Sequence, residues 1–227
     1  MTSPIIIALD MNPKRALDLA NNLDPEECKL KVGSQLFTYG GPKIIEKLND
    51  LGFNIFLDLK FHDIPNTVRN AVEASIELGI WMLNVHSLGG QEMLKAASEV
   101  IREASSKTIL LGVTILTSLD TQSMRKVGLE LRLEDQVLLL SKLCQREGLD
   151  GVVCSPNELP LLRNKHNDDF LLVTPGIRSN HVEKRDQKRT SSLSKAIERG
   201  ANYVVIGREI TLSKNPKKKI RQLLDSV

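Results

Sequence analysis

Aromatic side chains are scarce in this 227-residue chain: one Trp, two Tyr and five Phe, 4% of the total. So few rings leave no stacking platform for single-stranded nucleic acid, and none is expected as a partner. Cysteine is scarcer still. Cys28, Cys144 and Cys154 are odd in number and widely scattered, with no CxxC pair and no His-Cys metal spacing. Free thiols in a reducing cytoplasm are therefore expected, rather than a disulfide framework or a metal centre. No apolar run reaches membrane-spanning length, and Met1-Thr2-Ser3-Pro4 leads into Ile5 without a basic or long apolar leader. The expectation is a soluble cytoplasmic protein with no membrane partner. A large charge of one sign is also missing. Lys and Arg number 31 against 28 Asp and Glu, a net charge of +3, and such a mild excess suits an anionic small ligand.

What is present is alternation. Short apolar, β-branched runs predict strands at Ile5–Leu9, Cys28–Val32, Ile55–Leu59, Met82–Val85, Ile109–Ile115, Gly151–Cys154, Leu171–Thr174 and Tyr203–Ile206. Several are continuously apolar, as parallel strands covered on both faces must be. Between them, amphipathic stretches predict helices at Pro13–Asn21, Pro42–Leu51, Asn66–Leu78, Gln91–Ala104, Glu134–Glu147, Asn157–Arg163, Leu193–Arg199 and Pro216–Leu224. Gly52, Gly79, Gly148 and Gly200 stand where helices should stop. Eight strands and eight helices in strict alternation predict an α/β fold, a (β/α)8 TIM barrel. A doubly wound open sheet is the alternative, but no GxGxxG turn follows an early strand. No linker or break in composition divides residues 1–227, so one domain is expected.

In such barrels, polar residues at the C-terminal ends of strands form the site. Asp10 ends the first strand, Lys31 the second, and Asp58 and Lys60 the third, with Asp63 just beyond. On a strand, Asp58 and Lys60 leave the same face. Any one of these charges could be a rim ion pair; five at adjacent positions favour a shared site. After the seventh strand comes Thr174-Pro175-Gly176-Ile177-Arg178, and after the eighth Gly207-Arg208. Loops at those two places commonly cradle phosphate, and an Arg fork suits it. The polar stretch 179–192 between them is a solvated loop or a lid. Thr117 and Ser118, after the fifth strand, could bond a ligand or only a turn. His62 and His86 have no Ser or Cys partner at a useful spacing and read as polar or packing residues rather than acid–base catalysts, while His166 and His181 read as surface loop residues.

With these residues in place, the chain closely resembles the orotidine 5′-phosphate decarboxylase family over nearly its whole length. The likeness is carried by Ala8-Leu9-Asp10, Lys31-Val32-Gly33, the segment Asp58 to Thr67, Val85-His86, Gly89-Gly90, Val113 to Ser118, Pro175 to Arg178, Asp186-Gln187 and Gly207-Arg208. The resemblance implies cofactor-free and metal-free decarboxylation of orotidine 5′-monophosphate to UMP. It implies that Lys60 protonates carbon 6, that Asp58 faces the departing carboxylate, and that Lys31 holds Asp58 and the ribose. Asp10 would bind a ribose hydroxyl, and Thr117 and Ser118 the pyrimidine. Pro175, Arg178, Gln187, Gly207 and Arg208 would surround the phosphate end. It also implies a homodimer in which Asp63 and Thr67 serve the partner's site. Rival readings are a 3-keto-gulonate 6-phosphate decarboxylase, whose metal Lys31 would repel, and a non-catalytic nucleotide-binding barrel.

Overall fold

The run Ile5-Ile6-Ile7-Ala8 is buried at every position, which only a strand covered on both faces permits. In the computed structural model, which describes residues 3–177 and 191–227, this run begins a closed barrel of eight parallel strands. They are β1 (Ile5–Ala8), β2 (Lys29–Gly33), β3 (Ile55–Phe61), β4 (Met82–His86), β5 (Ile109–Val113), β6 (Gly151–Val153), β7 (Leu171–Thr174) and β8 (Tyr203–Ile206). Each pairs with the next in the chain, and β8 returns to β1 with Val205 opposite Ile6. This is the TIM barrel expected.

The helices are α1 (Pro13–Ala20), α2 (Ser34–Gly40), α3 (Pro42–Asp50), α4 (Pro65–Glu77), α5 (Gln91–Glu103) and α6 (Thr121–Arg125). They continue with α7 (Leu133–Arg146), α8 (Leu159–Arg163), α9 (Leu193–Glu198), α10 (Arg208–Thr211) and α11 (Pro216–Leu224). Strict one-for-one alternation does not hold: α2, α6 and α10 are additional, with seven, five and four residues. A helix of one or two turns buries too few positions to show a 3.6-residue period. The boundary signals of α1 behave as its sequence suggests. Asn12 Oδ1 accepts from the Arg15 N–H at 3.0 Å, with Pro13 at the first helical position.

Alternation along each strand divides the core in two. Ile6, Ala8, Phe56, Met82, Leu111, Val173 and Val205 fill the barrel. Ile5, Ile7, Leu30, Val32, Ile55 and Leu57 face outward and join the larger core under the helices. In β2 the inward positions are Lys29, Lys31 and Gly33. Lys29 closes the N-terminal end: its Nζ donates to the Ser3 carbonyl at 2.8 Å and lies 5.4 Å from the ring centres of both Trp81 and Tyr203. Two residues later the same face delivers Lys31 to the C-terminal end. His166 is not the surface residue expected. It is buried, bonded to Ser141 Oγ at 2.9 Å and Gln145 Oε1 at 3.1 Å, and stacked on Phe170; His181 lies outside the described residues. Among the described residues, no helix is long and apolar enough to cross a membrane.

Candidate active site

The barrel register sets Lys31 beside Ala8 on one side and Phe56 on the other, and places Gly33 beside Asp58. The charges at these strand ends therefore converge. Lys31 Nζ lies 3.2 Å from Asp10 Oδ1 and 3.1 Å from Asp58 Oδ2, while Lys60 Nζ lies 2.6 Å from Asp58 Oδ1. Asp10, Lys31, Asp58 and Lys60 thus form one chain of alternating sign. Gly33 makes room for it: a Cβ there would stand 3.0 Å from Lys31 Nζ and 3.3 Å from Asp10 Oδ1.

Burial by itself would disfavour the charges of Asp58 and Lys31, but their partners outweigh it. For Asp58, burial pushes the pKa up, yet the Lys31 and Lys60 charges and hydrogen bonds from Lys60 and Asn84 hold it below the usual carboxylate range. For Lys31, burial pulls down, yet Asp58 and Asp10 raise the ammonium above its ordinary value. The inner members are nearly dry, with Lys31 and Asp58 side chains 9% and 13% exposed, whereas Lys60 is 36% exposed and Asp10 60%. A largely enclosed anion clasped by two ammoniums therefore presents one of them to the mouth of the barrel. Such an ammonium can stabilise negative charge developing next to it, or release a proton to it.

The sequence placed Asp58 and Lys60 on one face of a regular strand. They do meet, but across an irregularity. Pairing runs Phe56 to Met82 and Leu57 to Leu83, then resumes only at Phe61 to Val85, so Asp58, Leu59 and Lys60 bulge opposite Asn84. Lys60 adopts φ +54°, the left-handed region, at a cost of roughly 1–2 kcal/mol for a residue with a Cβ. The buried Asn84 accepts from the Lys60 backbone N–H through Oδ1 at 2.8 Å and donates to Asp58 Oδ1 through Nδ2 at 2.7 Å. Sequence reasoning missed Asn84. Its signal was a single amide within Met82-Leu83-Asn84-Val85, in step with the inward-facing Met82.

The remaining candidates among the described residues follow the C-terminal ends of their strands. Thr117 is half-buried and Ser118 exposed in the turn after β5, Pro175 is half-buried after β7, and Gly207 leads into α10 with Arg208 exposed. Asp63 and Thr67 do not join the charge chain. Both are exposed, and Asp63 Oδ1 accepts from the neighbouring Ile64 N–H at 2.6 Å. Arg178 and Gln187, with most of the 179–192 stretch, lie outside the described residues. The flanks of that stretch meet, since Ile177 bridges to Ser191, whose N–H reaches the Gly176 carbonyl at 3.2 Å. His86 stacks on His62 at 5.2 Å and accepts from the Leu88 N–H. Burial, then the His62 and Lys60 charges, bring its pKa down to about 4, so it is a neutral packing group at pH 7.

Comparison with known proteins gives these residues a context. A sequence model described as Orotidine 5′-phosphate decarboxylase / HUMPS family matches residues 3–223. The orotidine 5′-phosphate decarboxylase of Hydrogenovibrio crunogenus is 50% identical over 214 residues, covering 93% of this chain and 90% of its own. That of Nitrosococcus oceani is 50% identical over 222 residues, covering 97% and 96%. Among solved structures, the orotidine 5′-phosphate decarboxylase of Lactobacillus acidophilus superposes with a TM-score of 0.88 at 38% identity, covering 99% of this chain and 98% of that one.

Proposed function

Because the chain belongs to the orotidine 5′-phosphate decarboxylase / HUMPS family, we propose that its charge chain removes carbon dioxide from orotidine 5′-monophosphate, with Lys60 as the proton donor. The reaction yields UMP, the last step of de novo pyrimidine synthesis. The bond from carbon 6 to the carboxylate breaks, its electron pair stays on carbon 6, and carbon dioxide leaves. Lys60 Nζ transfers a proton to that carbon and regains one from solvent. No carbonyl in the pyrimidine is placed to delocalise the pair, so stabilisation has to be electrostatic and organised beforehand.

The observation that carries this reading is the Lys60–Asp58–Lys31–Asp10 chain, in which the more exposed of the two ammoniums is already fixed by a largely enclosed anion. Asp58 is the group set against the substrate carboxylate. Lys31 keeps Asp58 ionised and, with Asp10, reaches the ribose hydroxyls. Thr117 and Ser118 meet the pyrimidine from the β5 turn. Gly207 and Arg208, with Pro175, Arg178 and Gln187 from the β7 side, hold the phosphate, whose binding energy is remote from the reacting carbon and serves to order the site. Asp63 and Thr67 are exposed beside this cluster and act in the site of a second copy, making the enzyme a homodimer. One barrel domain in the cytoplasm accounts for the whole chain. The test is direct: purified protein, without added metal, should change the ultraviolet absorbance of orotidine 5′-monophosphate to that of UMP. No change at any protein concentration would sink the reading.

A further inference from the structure

The face of β4 that lines the barrel carries Met82, then Asn84, then His86. An amide that is 1% exposed in such a place has to find hydrogen-bond partners, since unpaired burial is costly. Both partners of Asn84 belong to the charge chain: the backbone N–H of Lys60 and the carboxylate of Asp58. The orientation of the amide follows from chemistry, because turned over it would set NH2 against N–H and oxygen against an anion. In an unbroken parallel ladder the backbone of Lys60 would pair with the backbone of β4. Here β3 has bulged, and a side chain takes the place of the missing strand partner. The bulge and the positive φ of Lys60 fall at the residue whose ammonium faces the barrel mouth, and strain of this kind persists only where its surroundings enforce it.

We propose that Asn84 is a positioning residue, one amide that clamps the left-handed backbone of Lys60 and the Asp58 carboxylate together so that the Lys60 ammonium is held toward the reacting carbon. This rests on the functional reading above and extends it to a residue outside the charge chain. If Asn84 merely filled space, leucine, whose side chain has the same branched set of four heavy atoms with bulkier methyl ends, would serve nearly as well. If it is a clamp, Asn84→Leu removes both bonds at once. Asn84→Asp keeps an acceptor for the Lys60 N–H but sets a second carboxylate against Asp58, and two carboxylates in contact tend to share a proton.

The experiment measures kcat and KM for orotidine 5′-monophosphate, the Kd of UMP, the pH profile and the crystal structure of both variants beside the wild type. For Asn84→Leu the expected result is a fall in kcat of about tenfold or more, as for loss of a hydrogen bond to a charged group, with UMP affinity little changed. In its crystal structure Lys60 should leave the left-handed region or its Nζ should leave Asp58. Asn84→Asp should regain activity as the pH falls, because the introduced carboxyl can donate to Asp58 once protonated; the wild type should show no such gain. Unchanged kcat in Asn84→Leu would overturn the proposal. So would a lowered kcat with Lys60 and Asp58 still in place, or a loss of UMP affinity as large as the loss of kcat. Should Asn84→Leu not fold, the acid recovery of Asn84→Asp decides alone. An inactive wild type would defeat the functional reading, and the crystallographic comparison would still decide the clamp.

Discussion

Lys31 is nearly removed from water and has an anion on each side of its ammonium, so its charge serves two carboxylates at once. Lys60 has one anion and an open side. In the proposed reaction this difference separates their roles, with Lys31 as fixed machinery and Lys60 as the group that meets the substrate. Lys60→Ala should lower kcat by about a thousandfold or more, within what an acid group and its charge contribute together. UMP binding and the melting temperature should stay close to wild type, because the lost side chain is partly solvated and its removal leaves Asp58 paired with Lys31. Turnover within tenfold of wild type would refute the assignment. A pH prediction follows from the same pairings. Asp58 has a depressed pKa, so its contribution to stability is present above the ordinary carboxylate value of about 3.9 and lost as pH falls through its own lower one. Lys31 has a raised pKa, so its contribution is full below the ordinary lysine value of about 10.4 and lost as pH rises through its own higher one. Urea unfolding of wild type and Lys31→Met should therefore differ by a constant amount from about pH 6 to pH 8. A difference that changes across that window would mean that one of these groups titrates within it.

At the scale of elements, β2 ties function to stability through the two-residue repeat of a strand. Its inward face carries Lys29 to one end of the barrel and Lys31 to the other, and only the second end carries the charge chain. Lys29→Ala would leave the Ser3 carbonyl without its donor and remove the cation from between Trp81 and Tyr203. The expected cost is about 1–3 kcal/mol in unfolding free energy, with kcat and KM unchanged. A lowered kcat in a variant as stable as wild type would show that the two ends are coupled. The same strand shows what was legible in the sequence. Runs such as Ile5–Ala8 and Tyr203–Ile206 announce parallel strands because both faces are buried, and the charges Asp10, Lys31, Asp58 and Lys60 announce a site because they end those runs. The bulge in β3 was not legible. It depends on Asn84 coming from the next strand, a contact no local pattern encodes, and Lys60 has no intrinsic preference for positive φ. The short helices α2, α6 and α10 escaped for lack of a period, and His166 escaped because its partners Ser141 and Gln145 lie on α7, a different element. Thr67 was read from family resemblance alone. Asp63 was also counted as a fifth charge of the strand-end cluster, but within one chain it stays outside it, exposed and bonded to the Ile64 N–H, because it lies past the end of β3 in the turn before α4.

For the molecule as a whole, the sequence from Asp58 to Thr67 presents an asymmetry. Asp58 and Lys60 turn into the barrel of their own chain, whereas Asp63, Ile64 and Thr67 face outward, with Ile64 67% exposed. An exposed large aliphatic side chain between two polar groups, close in sequence to the charge chain, is the arrangement an isologous dimer can use, because each chain then lends the same patch to the other. If so, every site needs Lys60 from one chain and Asp63 from its partner. Two inactive variants should then rescue each other. Lys60→Ala and Asp63→Ala, each nearly inactive alone, would be mixed in equal amounts after reversible dissociation. Random pairing makes half of the dimers mixed. In a mixed dimer one site carries both lesions and the other carries neither, so about a quarter of wild-type activity should return. Shared sites are the only arrangement that allows this, for if Lys60 and Asp63 served the same chain's site, every site in every dimer would still hold one lesion. A mixture no more active than its two components, with mixed dimers verified by mass, would therefore place Asp63 in its own chain's chemistry or outside the chemistry altogether.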